Sequence, residues 1–141
     1  VLDMPNDKQV TLRRAQFGQV FMNLIVNAAD ELHSRDRLET ESFSREPKRI
    51  VIAFRAQGAS FGFWVEDTGR GFDLEILEHA DAPFYSTKGN ESNTGLGLAI
   101  VRHIVDIHNL EMVFGRSETF GGACVLIHSD GFEIPEDLMV P

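Results

Sequence analysis

The chain has 141 residues, of which 43% are hydrophobic and 25% charged, and these values predict one soluble globular domain with its own apolar core. Its formal net charge of −9 argues against nucleic-acid binding, which normally needs a basic surface, and no signal peptide or apolar run long enough to span a bilayer is present. The single cysteine, Cys124, excludes an internal disulfide, so we expect a cytoplasmic domain without membrane contact, with any membrane anchor of its parent protein lying elsewhere.

The N-terminal part of the chain predicts short strands and then a long helix. Residues 1–4 and 9–12 are typical of strands on either side of a turn. The helix is expected to end near His33, before a polar segment at residues 34–47 that indicates a solvated loop, with a partner surface as the alternative. It is predicted from apolar residues that recur at helical spacing: Phe17, Phe21, Leu24, Ile25, Ala28 and Leu32.

An antiparallel hairpin and a glycine-containing break are predicted next. Residues 49–55 and 60–66 are rich in β-forming residues and are separated by a short turn. Residues 67–71 break the second strand, and residues 73–78 can form a short helix. The long loop at residues 80–95 follows, and a loop of this length in a compact domain is usually functional or disordered.

The C-terminal part predicts a second apolar-striped helix at residues 96–108 and strands at residues 110–114 and 123–128. The acidic residues 129–141 are interpreted as an edge or a tail, and we assign them to a C-terminal tail after a domain at residues 1–128. The order of elements predicts an α+β fold, a two-layer sandwich with a mixed, mostly antiparallel sheet and helices on one face.

The first chemical motif is a pair of asparagines on the long helix. Asn23 and Asn27 are four residues apart and project from the same side, at the flank of the apolar stripe. Amide oxygens placed there can bind a hard cation such as Mg²⁺. The alternative is a solvated pair of surface asparagines, since polar helix residues usually have no further role.

The second and third motifs are rich in glycine. Glu66 and Asp67 end a predicted strand before Gly69 and Gly71, an arrangement that suits a purine pocket because a carboxylate can accept the exocyclic amine of adenine. Residues 94–98 (TGLGL) open a helix, whose N-terminal N–H groups can bind phosphate. Alone, the former is equally typical of a plain turn and the latter of a close helix–strand contact.

Together, in this order, the motifs resemble the ATP-binding domain of sensor histidine kinases, gyrase B subunits, Hsp90 chaperones and MutL proteins. The match to the histidine-kinase branch runs from end to end. Residues 23–28 (NLIVNA) resemble its N box, and residues 65–72 (VEDTGRGF) and 94–104 (TGLGLAIVRHI) resemble its two glycine boxes. Residues 83–88 (PFYSTK) are similar to the lid box of nitrogen-regulator-type kinases, and residues 121–127 (GGACVLI) to the closing strand.

This resemblance implies a Bergerat-type fold with ATP and Mg²⁺ as cofactors, and it carries residue roles onto matching positions. Asn27 with Asn23 would hold magnesium, Asp67 would bind adenine, and Phe84 would anchor the loop at residues 80–95 as a lid. The other implied nucleotide-binding positions are Gly69, Gly71, Thr87, Lys88, Thr94, Gly95, Leu96, Gly97 and Leu98.

Asn23 distinguishes a kinase from a hydrolase within this family. The gyrase, Hsp90 and MutL types resemble one another in a glutamate four residues before the N-box asparagine, where it is the general base for water, and this chain has Asn23 there. An amide cannot accept a proton at neutral pH, so the group that activates water is missing. The resemblance therefore implies a protein histidine kinase in which Asn23 and Lys88 assist transfer through positioning and charge neutralisation.

The phosphate acceptor is expected on another domain. None of the five histidines stands in the His-Glu or His-Asp context followed by proline that marks the acceptor helix of the family: His33, His79, His103, His108 and His128. The implied partners are the acceptor-histidine dimerisation domain of the same protein, which this chain lacks, and the receiver domain of a response regulator. We do not expect the domain to phosphorylate itself alone.

Two alternative functions share the predicted fold. A degenerate nucleotide-binding module would usually have lost a motif asparagine, aspartate or glycine, and none is lost here. A partner-switching serine kinase of the anti-sigma type tends to carry the glutamate that Asn23 replaces. Two departures concern local structure: Arg13 and Arg14 stand in place of an acidic helix cap, and Asn109 follows His108 where glycine is common, although asparagine tolerates a left-handed backbone.

Overall fold

The computed structural model describes residues 2–3, 13–38, 47–69, 71 and 97–139. The predicted short helix at residues 73–78 and the loop at residues 80–95 lie outside them. In chain order the described elements are β1 (Leu2–Asp3), α1 (Arg14–Leu38), β2 (Ile50–Gln57), β3 (Ser60–Asp67), α2 (Gly97–Ile107), β4 (Glu111–Ser117), β5 (Ala123–His128) and β6 (Leu138–Met139).

These strands form one sheet, in the order β1-β2-β3-β5-β4-β6. β1 runs parallel to β2, and the other neighbouring pairs are antiparallel, including the predicted hairpin of β2 and β3. Gly58 in the hairpin turn has a φ of +60°, a conformation that glycine adopts without steric cost. In the register of β3 and β5, Glu66 lies opposite Cys124, so the start of β5 lies beside the end of β3.

The main core lies between both helices and one face of the sheet. Its buried residues are Phe17, Val20, Leu24, Ala28, Phe63, Val65, Val101, Ile104, Val105, Met112, Phe114, Val125 and Ile127. Phe21 and Ile25 of the predicted stripe are half-buried at its margin. Complete burial of one such aliphatic or aromatic side chain stabilises a fold by roughly 1.5–3 kcal/mol. The α+β sandwich with a mostly antiparallel sheet and helices on one face is confirmed.

A smaller core covers the opposite face of the sheet. Phe132 and Leu138 from the C-terminal segment are buried in one cluster with Trp64 and Leu126. A Cβ on Gly62 would lie 2.6 Å from the Phe132 ring, so this glycine makes room for the ring. The segment at residues 129–139 thus follows the sheet and ends in the edge strand β6.

Side-chain hydrogen bonds attach this segment to the β2–β3 hairpin. Gln57 Nε2 donates to the Glu133 carbonyl oxygen at 2.9 Å, and the Glu133 N–H donates to Gln57 Oε1 at 2.7 Å. Ser60 Oγ donates to the Asp130 carbonyl oxygen at 2.7 Å. The amide of Gln57 therefore takes the place of a neighbouring strand for Glu133.

Helix α1 extends past its predicted end. It runs to Leu38 instead of ending near His33, and residues 39–46 of the expected loop lie outside the described part of the chain. The apolar stripe ends at Leu32 and marks only the part of the helix that faces the core. Polar and charged residues such as arginine continue a helix without contributing to such a stripe, which explains the error.

Candidate functional site

Asp67 is the last residue of β3, and its side chain is almost entirely buried at 4% exposure. Oδ1 accepts two backbone hydrogen bonds, from the Gly69 N–H at 2.8 Å and from the Ala123 N–H at 3.2 Å. Because both donors belong to the backbone, they hold the carboxylate in one orientation. The end of β3 therefore presents a buried, oriented hydrogen-bond acceptor.

The two glycines after Asp67 are required for different reasons. A Cβ on Gly69 would lie 2.6 Å from Glu31 Cγ and 2.8 Å from Asp67 Oδ1, so glycine alone fits between helix α1 and the carboxylate. Gly71 has a φ of +83°, which side chains rarely adopt, and its Cβ position lies 3.4 Å from Arg116 Nε. Both glycines allow the backbone to pass close to its neighbours.

Asn23 and Asn27 lie where α1 meets the first residue of α2. Asn23 Nδ2 donates to the Gly97 carbonyl oxygen at 3.4 Å, and both amide atoms of Asn27 lie 3.9 Å from the position of a Gly97 Cβ. The first N–H groups of a helix lack partners within it and carry the positive end of its dipole. Two amide side chains beside such a helix start are suited to a phosphate and its counter-cation.

Helix α1 connects the three sequence motifs. Its residue Glu31 lies against Gly69, Asn23 hydrogen-bonds to Gly97, and Asn27 lies beside Gly97. Residues four apart on a helix share a side, so one side of α1 reaches both glycine segments. The structure thereby brings together these predicted residues: Asn23, Asn27, Asp67, Gly69, Gly71 and Gly97.

Leu98 differs from these residues, because its half-buried side chain packs against the main core. The other predicted site residues lie outside the described part of the chain: Phe84, Thr87, Lys88, Thr94, Gly95 and Leu96.

Several neighbours of the site were not singled out from the sequence. Arg116 Nε donates to the Gly121 carbonyl oxygen at 3.0 Å and places a cation beside Gly71. Gly122 lies against Asp67, with its Cβ position 2.6 Å from Oδ1. The Gly121–Gly122 pair is visible in the sequence, but its contact with Asp67 depends on the register of β3 and β5, which no local pattern encodes.

Glu66 precedes Asp67 but lies on the other face of the sheet, because successive residues of a strand point to opposite sides. Burial raises the pKa of its carboxyl above the ordinary value, and the charge of Asp137 adds to this effect. Hydrogen bonds with Ser117 and Trp64 act in the opposite direction. Glu66 is thus a buried acid of the smaller core and does not take part in the site.

Other reactive groups are inert or dispersed. Burial, and then the charges of Glu66 and Asp67, raise the pKa of the Cys124 thiol well above its usual range, so it stays protonated and unreactive. Within the described residues, no three His, Cys, Asp or Glu side chains are grouped to hold a metal ion. A cation at Asn23 and Asn27 would therefore need phosphate and water ligands.

Neither helix of the described ranges is long and apolar enough to cross a membrane.

Comparison with known proteins agrees with this arrangement. The family model of the histidine kinase-, DNA gyrase B-, and HSP90-like ATPases matches residues 13–133. The sensory histidine kinase/phosphatase NtrB of Rhizobium meliloti (strain 1021) is 38% identical over 109 residues, which are 74% of this chain and 28% of that protein. The signal transduction histidine-protein kinase AtoS of Escherichia coli (strain K12) is 27% identical over 114 residues, which are 81% of this chain and 17% of that protein.

Solved structures show the same fold. The catalytic domain of histidine kinase ThkA has a TM-score of 0.68 and 22% identity, with 91% of this chain and 74% of that chain covered. The chain spans less than a third of the length of the NtrB and AtoS proteins, so it corresponds to one part of such kinases. By its fold and the match over residues 13–133, the chain belongs to the histidine kinase-, DNA gyrase B- and HSP90-like ATPase family, as an ATP-binding catalytic domain of the histidine-kinase branch.

Proposed function

We propose that this domain binds Mg-ATP and transfers the γ-phosphate to a histidine on a separate dimerisation domain of a two-component sensor kinase. The observation that carries the proposal is the placement of Asn23 and Asn27 against Gly97 at the start of α2. This arrangement supports a phosphate site in which an amide stands where an acid would activate water.

Binding of an adenine nucleotide is supported by both ends of the site. Asp67 offers a buried acceptor for the exocyclic amine of adenine. The start of α2 offers N–H groups to the phosphates, and Lys88 is proposed as a further phosphate contact. The chain is acidic overall, so the phosphate charge has to be neutralised locally.

Magnesium fits the asparagine pair by its chemistry. Mg²⁺ is a hard cation that accepts oxygen ligands and completes an octahedral shell with phosphate oxygens and water. Asn23 directs its Nδ2 to Gly97, which leaves Oδ1 as its oxygen donor, and Asn27 lies one helical turn further along. When bound, the ion would neutralise charge on the phosphates, while the chain positions the nucleotide.

The acceptor histidine is proposed to come from outside this chain. His108 Nδ1 lies 2.8 Å from the Ile104 carbonyl oxygen and its ring packs edge-on against Phe17, so this residue is part of the fold. His128 is buried, with Nε2 3.7 Å from Glu111. NtrB and AtoS are several times longer than this chain, which leaves room in such proteins for an acceptor domain.

An exposed face of α1 offers such an acceptor domain a surface next to the asparagines. Met22 and Val26 are 61% and 43% exposed and directly precede Asn23 and Asn27. Residues 15–29 contain no charged side chain, although 25% of the whole chain is charged. An apolar helix face in contact with water favours a protein partner. A helix bound there would approach phosphates held at Asn23 and Asn27.

The remaining partners follow from this function. A response-regulator receiver domain would take the phosphoryl group from the acceptor histidine, as the kinase relatives imply. ATP and its magnesium ion are supplied in the cytoplasm, so we assign the domain to that compartment. Any membrane anchor of the parent protein is assigned to other segments.

Calorimetric titration of Mg-ATP tests the nucleotide site. We expect Asp67→Asn to weaken binding about tenfold or more, because a hydrogen bond to a charged group is lost. Asn27→Ala should weaken binding in the presence of magnesium and have little effect without it. Equal affinities of the wild type and Asp67→Asn would remove the adenine assignment, and an Asn27→Ala effect confined to magnesium-free solution would contradict the metal role.

A substitution at Asn23 tests why the domain is a kinase. Asn23→Glu should raise ATP hydrolysis by the isolated chain roughly 100-fold, because a positioned general base contributes factors of about 10²–10⁴. Phosphate release measures this rate, and Asn23→Gln, which keeps an amide, is the control. Equal rates for the two variants would show that the chemistry at this position does not separate kinase from hydrolase.

Labelled ATP tests the direction of transfer. In the full-length parent protein, acid-labile label should appear on a histidine outside residues 1–141, and the isolated chain should remain unlabelled. Stoichiometric label on any of the chain's own five histidines would overturn the separation of nucleotide and acceptor.

A further inference from the structure

We infer that Gly122 and Ala123, where β5 begins, are positioning residues that hold the Asp67 carboxylate in one orientation and thereby set the preference for the purine base. The inference rests on the proposed function, because it concerns the base that the Asp67 site selects. The role of Gly122 and Ala123 follows from what they contact across the sheet.

The regular backbone hydrogen bonding between β3 and β5 ends beside Asp67. Its last regular pair is Glu66 and Cys124, so Asp67 comes next to Ala123. There the Ala123 N–H donates to the side-chain Oδ1 of Asp67 at 3.2 Å, where a regular ladder would use a backbone carbonyl. The side chain of Asp67 therefore takes the place of a backbone acceptor at the end of the ladder, and the two strands hold it in position.

Two backbone donors fix the position of one oxygen of the Asp67 carboxylate. Gly69 and Ala123 both donate to Oδ1, and a backbone N–H can never act as an acceptor. A proton on Oδ1 would point at one of these donors, so this oxygen must remain an acceptor. An ionised carboxylate offers only acceptors, so the carboxylate held by these two donors accepts a hydrogen bond from a base.

An acceptor held in one orientation discriminates between purines at their six-position. Adenine carries an amine there, which donates, whereas a keto oxygen at the same position accepts. A carboxylate oxygen fixed in place accepts a hydrogen bond from the amine and repels the keto oxygen. ITP, which differs from ATP in this position of the base, therefore reports on the orientation of Asp67 directly.

Gly122 keeps the strands close enough for this arrangement. A Cβ at this position would collide with the Asp67 carbonyl oxygen and would lie 2.6 Å from Oδ1 and 2.7 Å from the Asp67 carbonyl carbon. These atoms belong to the backbone and to an anchored side chain, so none can move away freely. An alanine at position 122 must separate β5 from β3 and turn Asp67 out of its orientation.

Gly121 provides a matched control one residue away. It has a φ of +74°, so alanine there is strained, but a Cβ would meet no atom within 4 Å. Both Gly→Ala changes add the same group to the same turn and cost stability. Only the change at Gly122 pushes on Asp67.

The experiment measures the dissociation constants of Mg-ATP and Mg-ITP for the wild type, Gly122→Ala and Gly121→Ala. We expect the wild type to prefer ATP at least tenfold, Gly121→Ala to keep this ratio even if both affinities fall, and Gly122→Ala to lose most of it. An unchanged ratio in folded Gly122→Ala would overturn the inference. Binding of neither nucleotide by the folded wild type would instead refute the proposed function.

Asp67→Asn provides a second readout if Gly122→Ala does not fold. Its amide oxygen can still accept from Gly69 and Ala123, so the amide nitrogen takes the place of Oδ2 and adds a hydrogen-bond donor to the site. The preference should then move from ATP toward ITP, with the ratio of affinities changed at least tenfold. A uniform loss of both nucleotides would show that the side chain is not held by Oδ1 and would contradict the inference.

Discussion

Asp67 and Glu66 are adjacent carboxylates whose surroundings differ completely at the scale of single residues. Asp67 accepts backbone hydrogen bonds at the end of β3, whereas Glu66 Oε1 is buried without a hydrogen-bond partner. A carboxylate that loses water without gaining a full set of donors favours its protonated form. Glu66 therefore opposes folding once it is ionised.

This environment predicts the pH dependence of a Glu66→Gln variant. The pKa of Glu66 in the fold lies above the ordinary value of 4.5. The protonated carboxyl therefore contributes favourably to the free energy of unfolding. This contribution is complete below pH 4.5 and is lost as the pH rises through the raised pKa. The variant should gain stability relative to the wild type as the pH increases above 4.5. Urea denaturation across a pH series measures the difference, and the exposed Glu118→Gln serves as the control. A difference that shrinks with rising pH would contradict the assignment.

The ends of the two helices show how elements are terminated. After α2, the Asn109 N–H donates to the Asp106 carbonyl oxygen and the Leu110 N–H to that of Val105, each at 3.0 Å. Asn109 has a φ of +54°, so these bonds form a Schellman-type cap. Helix α1 begins at Arg14 with no acidic residue in its first turn, which the helix dipole disfavours. Its stability therefore depends on packing against the core.

Asn109 gives a test at the scale of the element. Asn109→Ala should lower the free energy of unfolding by about 1 kcal/mol, because side chains other than asparagine and glycine are strained in the left-handed region. Asn109→Gly is the matched control and should be neutral or stabilising. Denaturant melting compares the three proteins, and equal losses in both variants would show that the Asn109 side chain itself stabilises the cap.

At the scale of the whole fold, the sheet of the described residues is covered by the helices on one face and by the segment at residues 129–139 on the other. Phe132 is buried in the smaller core near Trp64, and its ring packs against Gly62. The segment also hydrogen-bonds to the β2–β3 hairpin through Gln57. Residues 129–139 therefore stabilise the strand that carries Asp67, although they lie on the other side of the sheet.

Phe132→Ala tests this contribution. Truncation of a buried phenylalanine costs about 3–5 kcal/mol, so the unfolding midpoint should fall markedly. Emission of Trp64, the one tryptophan of the sequence, should shift to longer wavelength in the folded state as water enters. Ile134→Ala, at a side chain that is 37% exposed, is the control and should change both quantities little. A normal midpoint for Phe132→Ala would mean that the segment is not part of the cooperative unit.

Local sequence patterns predicted elements best where a residue's position follows from its near neighbours. Strand β5 spans residues 123–128 as expected, because a run of β-formers bounded by glycines leaves few alternatives. The end of α1 was missed because apolar periodicity reports burial, and the last turns of this helix have no apolar stripe. Glu31 was missed as well, since a glutamate on a helix is ordinary until Gly69 is found beside it.

The sequence by itself predicted both described helices, strands β1 to β5 and the α+β class, and its motifs resemble those of a histidine-kinase-type ATP-binding domain, because periodicity and motif spacing are local properties of the chain. It also predicted that Asn23 stands where a hydrolase would have an acid. Only the tertiary structure decided that the side chains of Glu66 and Asp67 lie on different faces of the sheet, and that Gly122 and Ala123 hold Asp67 in position. Those contacts depend on strand register and on packing between distant segments, which are set by the fold as a whole.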